Sequence, residues 1–232
     1  VHGVLERWHK AGGRAGELRA IATEELAQMQ AHPLVRSLWW PRLARALDWV
    51  DAEIAALAAE GRAVVASEIK GEMLFDGVRV HGRADRIDRK SDGTLAVVDY
   101  KTGGPPSGRM VEQGFALQLG VLALIARDGG FPGIAGEPDT FEYWSLAKTR
   151  DGDAFGYRAE PVREGQKKSG LPRDEFLERI EAYLRDAVDR WIKGAEPFEA
   201  RPNPDIGGYN DYDQLMRLDE WQARGDAWDA VS

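Results

Sequence analysis

Three short strand-like segments between positions 63 and 101, separated by two Asp-Gly dipeptides, constrain this chain more than any other feature. "VVASEIKGEMLF" and "VRVHGRADRID" flank Asp76-Gly77, and Asp92-Gly93 precedes "TLAVVDYK". An Asp-Gly pair supplies the positive φ angles of a tight hairpin turn. The spacing therefore predicts three successive antiparallel strands.

The flanks read differently. Residues 1–60 place apolar side chains at three- and four-residue spacing in "LRAIATEELAQMQ" and "LARALDWVDAEIAALAAEG", with Pro33 and Pro41 near helix starts. After the third strand, "GGPPSG" is a surface loop, and one helix is expected from about 109 to 127, ended by Asp128, Gly129 and Gly130. "TFEYWSLAK" and "AFGYRAE", joined around Asp151-Gly152, form a second hairpin, and "PRDEFLERIEAYLRDAVDRWIKG" is an amphipathic helix closing at Gly194. The tail is irregular apart from a short "DYDQLMRLDEWQ" helix. The expected divisions are a helical segment at 1–62, an α/β core at 63–195 and the tail at 196–232. The core should be a mixed sheet flanked by helices.

"VVDYKTG" carries the most chemistry. Side chains alternate along a strand, so Asp99 and Lys101 share one face while Val98 and Tyr100 take the other. "GRADRID" puts Asp85 on the hairpin neighbour, about 5 Å away. Two such carboxylates repel unless a cation lies between them. The chain has no cysteine, which excludes disulfides, thiolate zinc sites and an iron–sulfur cluster. Any metal must sit on oxygen and imidazole, which points to Mg2+ or Mn2+ and to the cytoplasm. The net charge of −8 argues against holding nucleic acid by bulk electrostatics, so a partner would supply the basic track. No apolar run reaches membrane-spanning length.

The succession "GRADRID", "VVDYKTG" and Gln118 resembles the three nuclease motifs of the RecB family of PD-(D/E)XK enzymes, firmly over positions 67–122. The resemblance implies a restriction-endonuclease-like fold with Asp85, Asp99 and the Tyr100 carbonyl as metal ligands. It also implies that Lys101 positions the attacking water and that Gln118 orients the lysine and substrate. His2, in "VHGVLERW", matches the family's first-helix histidine ligand, and Glu68 matches a first-strand acid found near the metal in relatives. Arg83 and Arg86, with Arg89 and Lys90, would hold neighbouring phosphates; the plain alternative for Arg86 is an ion pair with Asp88. His9 and His32 lack such context, and His81 reads as structural or substrate-facing. Trp8, Trp39, Trp40, Trp49, Trp144 and Trp191 could include a base-stacking residue, with the core as the alternative for each.

Two departures stand out: Leu122 replaces an aromatic residue common in relatives, and the cysteines of the cluster-bearing relatives are absent. "ARPNPD" and "YNDYDQLMRLDEW" resemble the end of AddB proteins that lack the cluster. By that resemblance the chain is a fragment of a longer protein: the exonuclease domain of a bacterial, nucleoid-associated helicase-nuclease with an AddA-like partner. A motor would deliver single-stranded DNA to it during double-strand break repair and homologous recombination. The alternatives are a catalytically silent nuclease-fold module that binds DNA or a partner, and a free-standing nuclease.

Overall fold

The computed structural model describes residues 2–14, 16–28, 33–149 and 152–197. Both expected Asp-Gly hairpin turns form, with φ of 51° at Asp76, 78° at Gly77 and 87° at Gly93. They join β1 (Ala63–Phe75), β2 (Val78–Arg89) and β3 (Leu95–Lys101) in antiparallel succession. A crossover then leads to β4 (Pro138–Lys148), parallel to β3, and β5 (Phe155–Ala159) returns antiparallel. The result is a mixed five-stranded sheet in the order β1-β2-β3-β4-β5, a restriction-endonuclease-like α/β arrangement.

Alternation along β3 and β4 sorts side chains onto two faces. Leu95, Val97, Phe141 and Tyr143 meet the helices of the crossover and the C-terminal side, α5 (Gln118–Arg127) and α6 (Phe176–Ala187). Phe141 stacks on Phe176 with ring centroids 4.2 Å apart. On the other face, Val98, Tyr100, Trp144 and Leu146 pack with Leu5, Trp8, Leu18, Leu47 and Val50. Those residues come from α1 (His2–Lys10), α2 (Leu18–Gln28) and α3 (Pro33–Ala59). Both sheet faces are thus covered, and β3 is buried along nearly its whole length.

Close approach of α5 and of the turn that follows it to the sheet requires glycine. Gly71 and Gly82 face each other across β1 and β2, and a Cβ would lie 2.4 Å from Phe131 at the first and 2.8 Å from Leu122 at the second.

Three expectations about the helices change. The single helix expected at 109–127 is two, α4 (Gly108–Glu112) and α5, because Gly114 takes a φ of 81° and breaks the axis. Pro41 does not begin a helix; it sits inside α3 on the solvent side, whereas Pro33 does begin it. The last helix ends its α-helical part at Ala187 and continues as a π-helical turn, Val188–Ile192. Contacts group Val1–Glu196 as one unit. The expected tail helix and its likeness to AddB lie outside the described residues. No described helix is long and apolar enough to cross a membrane.

Candidate active site

The sheet forks beside its centre. β2 and β3 pair only from Arg89↔Leu95 to Arg86↔Val98; beyond that, β2 continues with β1, while β3 continues with β4 as far as Lys101↔Ser145. Asp85 and Asp99 are the first residues past the last paired step. Asp85 Oδ2 accepts the N–H of Tyr100 at 2.8 Å, so a side chain replaces the missing backbone bond.

The second Asp85 oxygen faces out of the fork. His2 Nδ1 lies 3.4 Å from Asp85 Oδ1 and 3.2 Å from Glu68 Oε1. Glu68 stands level with Asp85 on β1, between the pairs Ser67↔Arg86 and Ile69↔Ala84. Its φ is 50°, a left-handed conformation that is unusual in a strand and costs about 1–3 kcal/mol. His2 is the first residue of α1, which is anchored by the buried Leu5 and Trp8. The ligand atoms of His2, Glu68 and Asp85 all lie within 4.8 Å of one another. One imidazole and two carboxylates at that spacing match the donors of a single divalent cation.

Electrostatics agree with that fit. Burial, partly countered by the Tyr100 N–H, pushes the Asp85 carboxyl up to about 6, and the charges of Asp99 and Glu68 push in the same direction. Close carboxylates resist joint ionisation, and a cation removes the conflict.

Asp99 belongs to a second, adjoining cluster. Its Oδ2 lies 2.7 Å from Lys101 Nζ, and its Oδ1 accepts from Gln118 Nε2 at 3.0 Å. Lys101 Nζ also donates to Gln118 Oε1 at 3.2 Å, closing a triangle. Gln118 reaches this position because the break at Gly114 lets α5 start there. The alternation argument expected Asp85 and Asp99 to converge on one cation. Asp85 meets His2 and Glu68, Asp99 meets Lys101 and Gln118, and the charge of Asp99 still reaches Asp85 and raises its pKa.

The arginines divide. Arg83 is half exposed at the mouth, with Nη1 3.5 Å from Glu68 Oε2. Arg86 corrects the phosphate-binding expectation: it is only 2% exposed, donates to Asp88 Oδ2 and the Tyr100 hydroxyl at 2.8 Å each, and lies 3.9 Å from the Trp144 ring centroid. A guanidinium so enclosed cannot reach a phosphate. Arg89 and Lys90 turn away, to the carbonyls of Gly93 and Ala135 and to Asp139. His9 is part-buried, with burial pulling its pKa down, His81 is exposed, and His32 lies outside the described residues.

Sequence reasoning missed the network beneath the fork. Arg62 donates to Asp88 at 2.7 Å and to both Glu142 oxygens at 3.0 and 2.7 Å, while Trp144 Nε1 donates to Glu142 at 2.8 Å. This network links the start of β1 to β2 and β4, and through Arg86 to Tyr100 on β3. The available signal was Glu142 itself, a carboxylate set among Phe141, Tyr143 and Trp144 in an otherwise apolar strand.

Residues 1–212 match the sequence model of the PD-(D/E)XK nuclease superfamily. An "Uncharacterized protein" of Rickettsia bellii is 34% identical over 68 residues, covering 28% of this chain and 8% of that protein. "Uncharacterized protein RT0391" of Rickettsia typhi has the same identity and coverage. The matched part of this chain thus spans less than a tenth of these curated relatives. A solved structure described as "Crystal structure of SSO0001" is similar at 16% identity, with 67% of this chain and 68% of that one covered and a TM-score of 0.27.

Proposed function

The chain belongs to the PD-(D/E)XK nuclease superfamily, and from that premise we propose that it hydrolyses DNA phosphodiester bonds with a divalent cation, Mg2+ or Mn2+, at the fork of its sheet. One observation carries the reading: the cluster of His2, Glu68 and Asp85 directly adjoins the triangle of Asp99, Lys101 and Gln118.

His2, Glu68 and Asp85 would hold the cation, with Asp99 and the Tyr100 carbonyl completing the set from β3. A cation there supplies Lewis-acid polarisation of a phosphoryl oxygen and lowers the pKa of water. The protein's own groups do the rest. Asp99 holds the Lys101 ammonium at 2.7 Å, and Gln118 braces both. Lys101 thereby orients the attacking water and sets positive charge where the phosphate gathers negative charge. Arg83, at the mouth and only loosely tied to Glu68, is free to engage a flanking phosphate.

At the level of the whole protein, the same reading makes residues 63–195 the catalytic core, 1–62 the helical segment that delivers His2, and 196–232 a tail. The parent would be an AddB-like helicase-nuclease subunit, an exonuclease of bacterial double-strand break repair with an AddA-like partner. Its support is the motif succession, the acidic net charge of −8, which leaves the basic DNA track to a partner, and relatives in which the matched segment is a small part of a long chain.

The test is cleavage of labelled single-stranded DNA with Mg2+ or Mn2+. Asp99→Ala and a chelator should each abolish cutting while the fold survives. Undiminished cleavage by Asp99→Ala would remove Asp99 from the site.

A further inference from the structure

We propose that the groove between α3 and the ends of β4 and β5 binds an unpaired nucleobase of the strand whose phosphate lies at Lys101. The identity of that strand rests on the nuclease reading above; the groove rests on its own observations. It encloses about 570 Å3, within the usual range of small-molecule sites. Its walls include Trp39, Arg42, Leu43 and Ala46 from α3, and Thr102 and Phe155 from the sheet side.

The α3 wall follows from helical spacing. Trp39, Leu43 and Ala46 are four and three residues apart, so they share one face. Ala46 is buried and Leu43 half-buried, and the neighbouring Trp40 packs against the core, but Trp39 remains 71% exposed. A large indole left open at the lip of a groove is not required by the packing beneath it. Arg45 lies 4.8 Å from the Phe155 ring centroid, adding a second π surface. Lys148 is paired with Asp153 at 2.7 Å, which leaves Arg42 and Arg45 as the net charge of the groove among the described residues. This is a positive, aromatic-lined concavity in a chain of net charge −8.

Charge and aromatic surface together select the occupant. An aromatic face stacks on a base whose own face is free, which duplex pairing denies, and cations beside it match the phosphate backbone. The location also fits. Thr102 lines the groove and directly follows Lys101, the last residue of β3. The groove thus begins one residue beyond Lys101, and a strand whose phosphate lies at Lys101 would carry its neighbouring base to it over the end of β3.

The experiment measures binding of fluorescent oligothymidylate and of a blunt duplex to the full chain, with Ca2+ in place of Mg2+ to prevent cutting. Trp39→Ala should weaken oligothymidylate binding about tenfold, leave duplex binding unchanged, and be rescued largely by Trp39→Phe. Equal affinity of Trp39→Ala and wild type for oligothymidylate, or an equal loss for duplex, would overturn the groove assignment. Mn2+-dependent cleavage by wild type is read in parallel. Its absence alongside Trp39-dependent binding would defeat the hydrolytic reading and leave the groove standing; cleavage alongside Trp39-independent binding would do the reverse.

Discussion

The amide N–H of Tyr100 donates to the Asp85 carboxylate across 2.8 Å, at the step where the backbone ladder between β2 and β3 ends. One carboxylate thus has two tasks: an oxygen ties the strands together, and the other faces His2 and Glu68.

Asp85→Asn and Asp85→Ala should separate those tasks. Asparagine keeps an acceptor for Tyr100 and removes a charge that burial and two neighbouring carboxylates disfavour, so the metal-free protein should melt at or above the wild-type temperature. Alanine leaves the N–H unpaired and should cost about 1–3 kcal/mol. Both should lose Mn2+ binding in a titration. Tight Mn2+ binding by Asp85→Asn would remove Asp85 from the ligand set.

Proton and cation compete at the same carboxylate. Because Asp85 is raised from 3.8 to about 6 in the folded protein, its contribution to metal-free stability is fully present below 3.8 and is lost as pH rises through about 6. A cation favours the ionised form. The rise in melting temperature caused by Mn2+ should therefore be small on the acid side of 6 and grow on crossing it. A gain independent of pH would contradict this coupling.

His2→Ala should raise the metal concentration needed for cleavage while barely changing the melting temperature, since the His2 side chain is 47% exposed. An unchanged metal titration would make His2 a scaffold residue.

Arg62→Ala should destabilise the fold by about 3–5 kcal/mol, because it strips the main cation from the buried Glu142 and Asp88. Chemical denaturation measures this, and a loss below about 1 kcal/mol, the scale of an exposed pair, would show the network to be solvated.

The sheet was legible in the chain because its signals are local. Asp76-Gly77 and Asp92-Gly93 dictate their turns, and period-two alternation puts Asp99 and Lys101 on one face. The N-terminal helices and the succession of strands along the chain followed from periodicity in the same way, whereas the parallel pairing of β4 with β3 did not. What escaped depends on partners distant in sequence. The pairing of Arg86 with Asp88 was open to the sequence and is observed, but its enclosure by Tyr100 and Trp144 was not legible. Apolar periodicity runs straight through Gly114, so the helix break that sets Gln118 at Lys101 leaves little trace in the pattern. The left-handed turn at Glu68 arises where β1 meets the fork, and nothing in "ASEIK" announces it.

The central claim is that His2, Glu68 and Asp85, with Asp99 from the adjoining triangle, hold the cation while Lys101 drives hydrolysis, and Lys101→Ala tests it most directly when Mn2+ binding and cleavage of labelled single-stranded DNA are measured on the same preparation. The account predicts Mn2+ affinity close to wild type with cleavage lost, because the Lys101 ammonium has no lone pair to offer a metal. Cleavage by Lys101→Ala at the wild-type rate would contradict it.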